Sequence, residues 1–515
     1  MGTDWLANAH PETFWPHFSW GWFAALSDDT RARTLVVLPV HGFADHGLGL
    51  PLDAEEAAGG AVLRRASGRA WAAGAALCVL PPLRFALAPY PCARFGVNAE
   101  TARAHMLEIA KSVRAAGFSQ MVFFNTSPWN EELAAVAALD ARVEFGLRNH
   151  VVNLSRLGMS FHPGAPREAR ANAQAAAMRA LGLPAGTVRA NIANAPMAAV
   201  SDTGFRPGNF QQPETLAPDE SLDGGAILEM VSARAGMALR AAAGDFGEGA
   251  PPAAAGLADG AAFPPSCRGH CLAALTASEL AALPGKEGAL VIIPAGAIEQ
   301  HGPHLPVGVD AILGQALLAN ALPKLAPGAA RRVFVAPPVT YGRSNEHEGF
   351  PGTISISAGT LRGVLLAMAA ELRAAGFRCI AILNTHGGNS PVVVQALREM
   401  QALPGMCAGM LASRPGPDAG GMTPREAAFG FHAGQWETAL MLACAPELVR
   451  MDKAVCEYPA ALEKLGPTGA ALAWMTRDIS TSGVMGDARA ATPGLGRAWL
   501  EKAGDALAAR IAGLL

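Results

Sequence analysis

Short runs of Val, Ile and Leu alternate along the chain with longer stretches in which apolar residues recur every three or four positions. The runs at residues 35–38, 289–294 and 379–383 are apolar without a break, as strands buried on both faces are. Residues 102–116, 360–375 and 391–403 carry helical periodicity, and a further helix opens around His432. This alternation predicts an α/β fold with mostly parallel sheets flanked by helices.

The pattern occurs twice. Residues 35–51 read against the run ending at Pro306 at a constant offset of 255. Arg114-Ala-Ala-Gly-Phe118 returns as Arg373-Ala-Ala-Gly-Phe377 at an offset of 259, Asn125-Thr126 as Asn384-Thr385, and Phe161-His162 as Phe431-His432. An offset that creeps upward is what small loop insertions produce. The chain therefore reads as a duplication of about 250 residues, two tandem domains rather than a short-period solenoid. The expected units are residues 1–245, a Gly/Pro/Ala-rich linker at 246–266, and residues 267–515. The aromatic stretch 15–23 reads as a packing element that could cap an interface.

Composition narrows the class. With 51% hydrophobic and 16% charged residues the chain is a globular protein, and each copy is long enough for its own core. A net charge of −3 without a basic stretch gives nucleic acid or a membrane surface no electrostatic hold. No apolar run is long enough to span a bilayer, and the start of the chain lacks a secretory pattern. Eight cysteines, several in apolar runs, fit free thiols in a reducing cytoplasm. Cys267-Arg-Gly-His-Cys271 resembles half a zinc site without a second half and reads as structural.

The chemistry concentrates in the second copy. After the run at 289–294 comes Glu299-Gln-His301, with Asp310 nine residues further on. In an extended segment Glu299 and His301 face the same way, setting a hard oxygen beside an imidazole, a pairing suited to Zn²⁺, Mn²⁺ or Fe²⁺. Three other stretches fit the same site. His386-Gly-Gly follows the strand at 379–384, Glu437 lies in the first turns of the helix after His432, and the polar loop 344–353 carries Glu346 and His347. Ligands in open parallel sheets collect beyond the carboxyl ends of strands, where these segments fall.

Five ordered pieces carry a resemblance: E-Q-H-G-P-H-L-P with Asp310, F-P-G-T, N-T-H-G-G-N, H-A-G-Q-W-E-T, and Gly483-Val-Met-Gly-Asp487. Together they resemble the creatininase (creatinine amidohydrolase) family across about 230 residues to the end of the chain. The resemblance implies an α/β sandwich, a two-metal site and hydrolysis of amide C–N bonds. It implies Glu299, Asp310 and His386 on one ion and His301 with the bridging Asp310 on the other. Creatininase proper takes a further glutamate two residues after the N-x-H histidine, where this chain has Gly388, so Glu437 is the candidate for the remaining carboxylate. No tryptophan lies between Gly387 and Phe431, which counts against creatinine itself as substrate.

Two divalent ions lower the pKa of a shared water from 15.7 toward roughly 7 and polarise the carbonyl under attack. An amide also needs a proton delivered to its leaving nitrogen, and the resemblance places His432 in that role. Glu346 and His347 are second candidates, with substrate contact as their alternative. His304, Gly387, Gly388 and Trp436 are candidate substrate contacts. For His304 a hydrogen bond that supports the site from behind, or one within its own loop, competes, and for Trp436 helix packing. The expected substrates are a small cyclic amide or formamide, or a short peptide precursor. A wide groove shared with the first copy would favour the peptide. A binding protein with a vestigial site is the non-catalytic alternative. Members of the family commonly form hexamers of single domains, so three two-domain chains would rebuild that ring.

The first copy departs from the ligand set. Ala44 stands where Glu299 does, Ser127 replaces His386, Glu55 falls opposite Asp310, and Arg167 or Glu168 opposite Glu437. His46 and His162 remain, and the copy reads as non-catalytic. A remodelled site using His41, Asp45 and His46 is the alternative.

Overall fold

An unbroken apolar run can bury both faces, and the first such run, β1 (Leu35–His41), is buried along its whole length. The structure, a computed structural model, describes residues 9–47, 49–88, 90, 92–194, 216–244, 265–412, 420–465 and 472–515. In the first half β2 (Leu77–Val79), β1, β3 (Gln120–Asn125) and β4 (Arg148–Asn153) lie side by side in that order, all parallel. In the second half β6 (Val333–Val335), β5 (Leu290–Ala295), β7 (Cys379–Asn384) and β8 (Cys407–Ala412) repeat the arrangement. The register repeats as well: Leu35 pairs with Gln120, and Leu290 with Cys379. The duplication is thus preserved in the hydrogen bonding of the sheets.

Equivalent helices begin and end by the same chemistry. In α1 (Ala99–Ala115) the Asn98 side chain accepts the Thr101 N–H, and in α2 (Ala358–Ala374) Ser357 accepts that of Thr360. Each helix stops at a glycine with positive φ, Gly117 at 92° and Gly376 at 104°. The phenylalanine that follows, Phe118 or Phe377, is fully buried and anchors the chain before the next strand. That accounts for the repeated R-A-A-G-F.

The two halves exchange their leading arms. Phe14 bridges to Val79 of its own sheet, after which Pro16 and Phe18 offer carbonyls to Gly308 and Val307 of the other half, at 3.0 and 2.9 Å. Cys271 bridges to Val335, and Ala273 and Leu275 do the same for Asp53 and Leu52, both at 2.9 Å. The aromatic stretch is part of this exchange: the Trp15 indole donates to Gly352 O at 2.9 Å, and Trp20 meets Phe350 edge-on at 5.3 Å. The linker expected at 246–266 lies, through residue 264, outside the described residues. Among the described residues no helix is long and apolar enough to cross a membrane.

Candidate metal centre

Strands β5 and β7 run parallel with Ala295 opposite Asn384, so the loops that follow emerge together at one edge of the sheet. The first supplies Glu299, Gln300 and His301, the second His386. Asp310 lies not in the loop but in the first turn of the helix Val309–Ala321. Glu437 occupies the first turn of Gln435–Cys444, His347 the short turn Asn345–His347, and His432 is bridged to Met485.

These side chains converge. Glu299 Oε1 lies 3.1 Å from His386 Nδ1, 3.3 Å from His347 Nε2 and 3.8 Å from His432 Nδ1. Asp310 turns one oxygen to each imidazole: Oδ1 is 3.5 Å from His301 Nε2 and Oδ2 is 3.6 Å from His386 Nδ1. Glu437 Oε2 stands 3.8 Å from His301 Nε2. Ligand atoms of Glu299, Asp310 and His386 fall within 4.8 Å of one another, and so do those of His301, His432 and Glu437.

Backbone carbonyls set the tautomers. A carbonyl only accepts, so His386 Nε2 donates to Arg343 O at 2.9 Å, His301 Nδ1 to Glu299 O at 3.1 Å, and His432 Nε2 to Gln300 O at 2.8 Å. In the neutral form of each ring the opposite nitrogen carries a lone pair facing carboxylates. Acceptor then faces acceptor, and both Glu299 oxygens, His301 Nε2 and Asp310 Oδ2 are buried without a hydrogen-bond partner. A divalent cation satisfies such a donor set, so the residues fit the group.

Proton affinities carry the same message. Burial would push His301 down, yet Asp310, Glu437 and Glu299 together bring it up to about 9. Burial likewise opposes protonation of His386, which Glu299, Asp310 and Glu346 raise to about 10. Asp310 is pushed up to about 6 by burial and by Glu299. Burial also works against an ionised Glu299, but His347 and His386 hold it well below the usual carboxylate range. A cavity that keeps imidazoles protonated at alkaline pH is short of positive charge.

Not every candidate joins the cluster. Glu346 Oε1 is 3.6 Å from His386 Nε2, on the edge of the ring turned away from Asp310. His304 is fully buried with Nε2 2.8 Å from Thr438 Oγ1, so it holds the Glu437 helix. Gly388 has no room for a side chain, because a Cβ would collide with the Glu346 carboxylate and His386, whereas Gly387 is open on that side. Trp436 packs against Trp499 at 5.2 Å and also lines a cavity beside His386.

Gln300 had no assigned role, yet its amide links the site together. Its Nε2 donates to Gly483 O at 3.0 Å and lies 3.0 Å from His347 Nδ1, and its backbone carbonyl accepts the His432 Nε2–H at 2.8 Å. Gly483 has a φ of 82°, and a side chain there would strike the Gln300 amide, which explains its glycine. The signal for Gln300 was its position between two ligands.

In the first half Ala44 and Ser127 stand at the equivalent places, His46 Nε2 lies 3.8 Å from Glu55 Oε1, and His162 Nδ1 accepts the Gly164 N–H at 3.0 Å. Burial brings Glu55 up to about 8 and His46 down to about 3, a pair without net charge. His41 is bonded to Thr126 Oγ1 at 2.9 Å, and Asp45 accepts the Gly47 N–H at 2.9 Å. Arg167 and Glu168 are exposed. Among the described residues no three metal-ligating groups gather in this half.

The family profile described as creatininase, creatinine amidohydrolase, matches residues 17–186 and 273–511, one stretch on each sheet. A mycofactocin precursor peptide peptidase of Mycolicibacterium smegmatis is 36% identical over 206 residues, 39% of this chain and 76% of that protein. A creatinine amidohydrolase of Pseudomonas putida is 31% identical over 188 residues, 33% of this chain and 70% of that protein. A solved mutant creatininase of Zn–Zn type is 27% identical and covers 47% of this chain and 97% of that one, at a TM-score of 0.39. Profile matches on both repeated sheets, with relatives that are themselves amide hydrolases, lead to one assignment: the chain belongs to the creatininase family, as a tandem member that hydrolyses C–N bonds.

Proposed function

We propose that the second half, residues 267–515, hydrolyses an amide C–N bond with two divalent ions, Zn²⁺ or Mn²⁺, and that residues 1–245 form a non-catalytic copy. The observation that carries this reading is Asp310, whose two oxygens each face a different imidazole amid buried, unpartnered ligand atoms. Glu299, His386 and one Asp310 oxygen would hold one ion, and His301, Glu437 and the other oxygen the second. Such ions supply Lewis acidity and bring water toward ionisation near neutral pH.

The protein supplies the proton traffic. His432 keeps Nδ1 free because Nε2 is pinned to Gln300 O. Burial, then His347 and His301, hold its pKa well below the usual histidine range, so it rests neutral. It takes a proton at Nδ1 from the attacking water and returns it to the leaving nitrogen, a role worth about 10²–10⁴-fold. His347, with Nδ1 2.7 Å from Thr476 Oγ1, keeps its other nitrogen toward Glu299 and the reacting groups.

A cavity of about 350 Å³ opens on His386, Gly387 and Glu437 and is walled by Leu313, Leu317, Met410, Phe431, Trp436 and Leu440. Its apolar wall suits a hydrophobic side chain better than a small polar ring. The lining comes from the second half alone, not from a groove shared with the first copy, so the apolar wall is what supports a peptidase trimming a short precursor over a cyclic amide or formamide. Metal analysis of wild type and His386→Ala, with a panel of cyclic amides, formamides and short peptides, tests the assignment. Wild type should carry two ions per chain, and the variant should lose metal and turnover together. Full loading of the variant overturns the ligand set. A loaded wild type inert toward the whole panel leaves the binding-protein reading.

A further inference from the structure

A second cavity, of about 580 Å³, lies between the two halves, within the usual range of small-ligand sites of about 300–1,000 Å³. One wall is the face of α1 carrying Glu108, Lys111 and Ser112. The other is the loop holding Arg343, Asn345 and Glu348, with Arg477 closing one side. Arg477 lies over this loop, its guanidinium 3.3 Å from where a Cβ on Gly349 would be.

The charges here are unbalanced. Among the described residues Lys111, Arg343 and Arg477 form no ion pair, and the Arg343 guanidinium makes one long hydrogen bond, Nη1 to Gly388 O at 3.5 Å. Of the two acids, Glu108 is engaged: its Oε2 accepts the Ser357 N–H at 2.8 Å. Ser112 Oγ is tied to Ser355 N and O at 3.2 and 3.3 Å. That leaves two carboxylates, Glu108 and the exposed Glu348, against three cations, an excess of one positive charge.

We infer that this cavity is a carboxylate-binding site built jointly by the two copies, with Lys111 from the inert copy and Arg343 and Arg477 from the active one. Guanidinium forks bind carboxylates in bidentate fashion and Lys111 adds a point charge, so an anion gains where a neutral amide of the same shape does not. The site borders the metal centre through one loop. Arg343 O accepts the His386 Nε2–H at 2.9 Å, and Thr353 Oγ1 accepts the Gln300 N–H at 3.0 Å. The carboxylate belongs either to the substrate, as at a peptide C-terminus or acidic side chain, or to a separate small acid. The binding site stands apart from the hydrolase reading; its link to the substrate rests on that reading.

Isothermal titration of the metal-loaded protein with glutarate and with neutral glutaramide tests the site, using wild type, Lys111→Glu and Arg477→Glu. Glutarate should bind wild type, at least tenfold more weakly to either variant, and glutaramide should give no binding. Wild type that ignores glutarate, or variants that bind it equally well, overturn the proposal. Kinetics with peptides bearing a free or an amidated C-terminus then separate the two sources. If the carboxylate is the substrate's, either substitution lowers kcat/KM about tenfold for the free acid and leaves the amidated peptide unchanged. If it is a separate acid, added glutarate changes the hydrolysis of both peptides alike, and both variants abolish the response. Glutarate binding without any hydrolysis would sink the catalytic reading and leave this site standing.

Discussion

Replacing Glu55 by Gln tests whether the first copy has traded a metal ligand for a buried, neutral acid. Glu55 is fully buried, and burial brings its carboxyl up to about 8 from an ordinary 4.5; the nearby Ser127 hydroxyl and Gly42 amide offset this only in part. The folded value exceeds the unfolded one, so between them the folded state holds a proton that the unfolded chain has released. Stability therefore falls as pH rises from about 4.5 to 8. Linkage puts the loss at about 1 kcal/mol at pH 5 and about 3 kcal/mol at pH 7. Glutamine has nearly the same shape and no proton to lose. Glu55→Gln should thus match wild type more closely at pH 5 and exceed it at pH 7, by roughly 6–12 °C in the first half's transition at about 2–4 °C per kcal/mol. Scanning calorimetry of both proteins from pH 5 to 8 reads this directly. Should the halves unfold together, the shift shrinks but its pH dependence survives. Parallel curves across that range would show that Glu55 ionises like an ordinary carboxylate and refute the reasoning. Metal content should not change.

With His301 at about 9 and His386 at about 10, both rings hold a proton at pH 7 in the metal-free protein, so loading should release about two protons per chain. Titrations of divalent metal in buffers of different ionisation enthalpy count them, and zero release would refute the placement of both histidines. Gly483→Ala forces a side chain into the left-handed region and against Gln300, costing roughly 1–3 kcal/mol and lowering kcat through His432 and His347; unchanged kcat would discount the Gln300 link. Light scattering should find three two-domain chains, with the exposed Val136, Leu139 and Val143 on the helix Glu131–Phe145 as a contact face that Leu139→Glu breaks. A stable wild-type monomer discards that assembly.

Much of this molecule was legible in the chain itself. Strand burial at 35–41 and 379–384, the helices with their N-caps and terminal glycines, and the doubled architecture all follow from periodicities read over a few residues at a time. Glu299, His301, Asp310, His386 and Glu437 stood out as candidates, because each sits in a short motif that leaves a strand or opens a helix, and the structure gathers them at one place. The tertiary structure alone decided how they meet. Asp310 divides its oxygens between two imidazoles because a helix start, not a loop, carries it past both strand ends. Gln300 entered the cluster, and His304 found Thr438 on the Glu437 helix, through contacts between segments far apart in sequence. The tautomers follow from which carbonyl arrives beside each ring. The interdomain cavity exists because two copies of one fold exchanged arms and packed a helix of one against a loop of the other. Periodicity within a segment records which face is buried, whereas the partner that covers that face, and the charge it brings, is settled only when the segments pack.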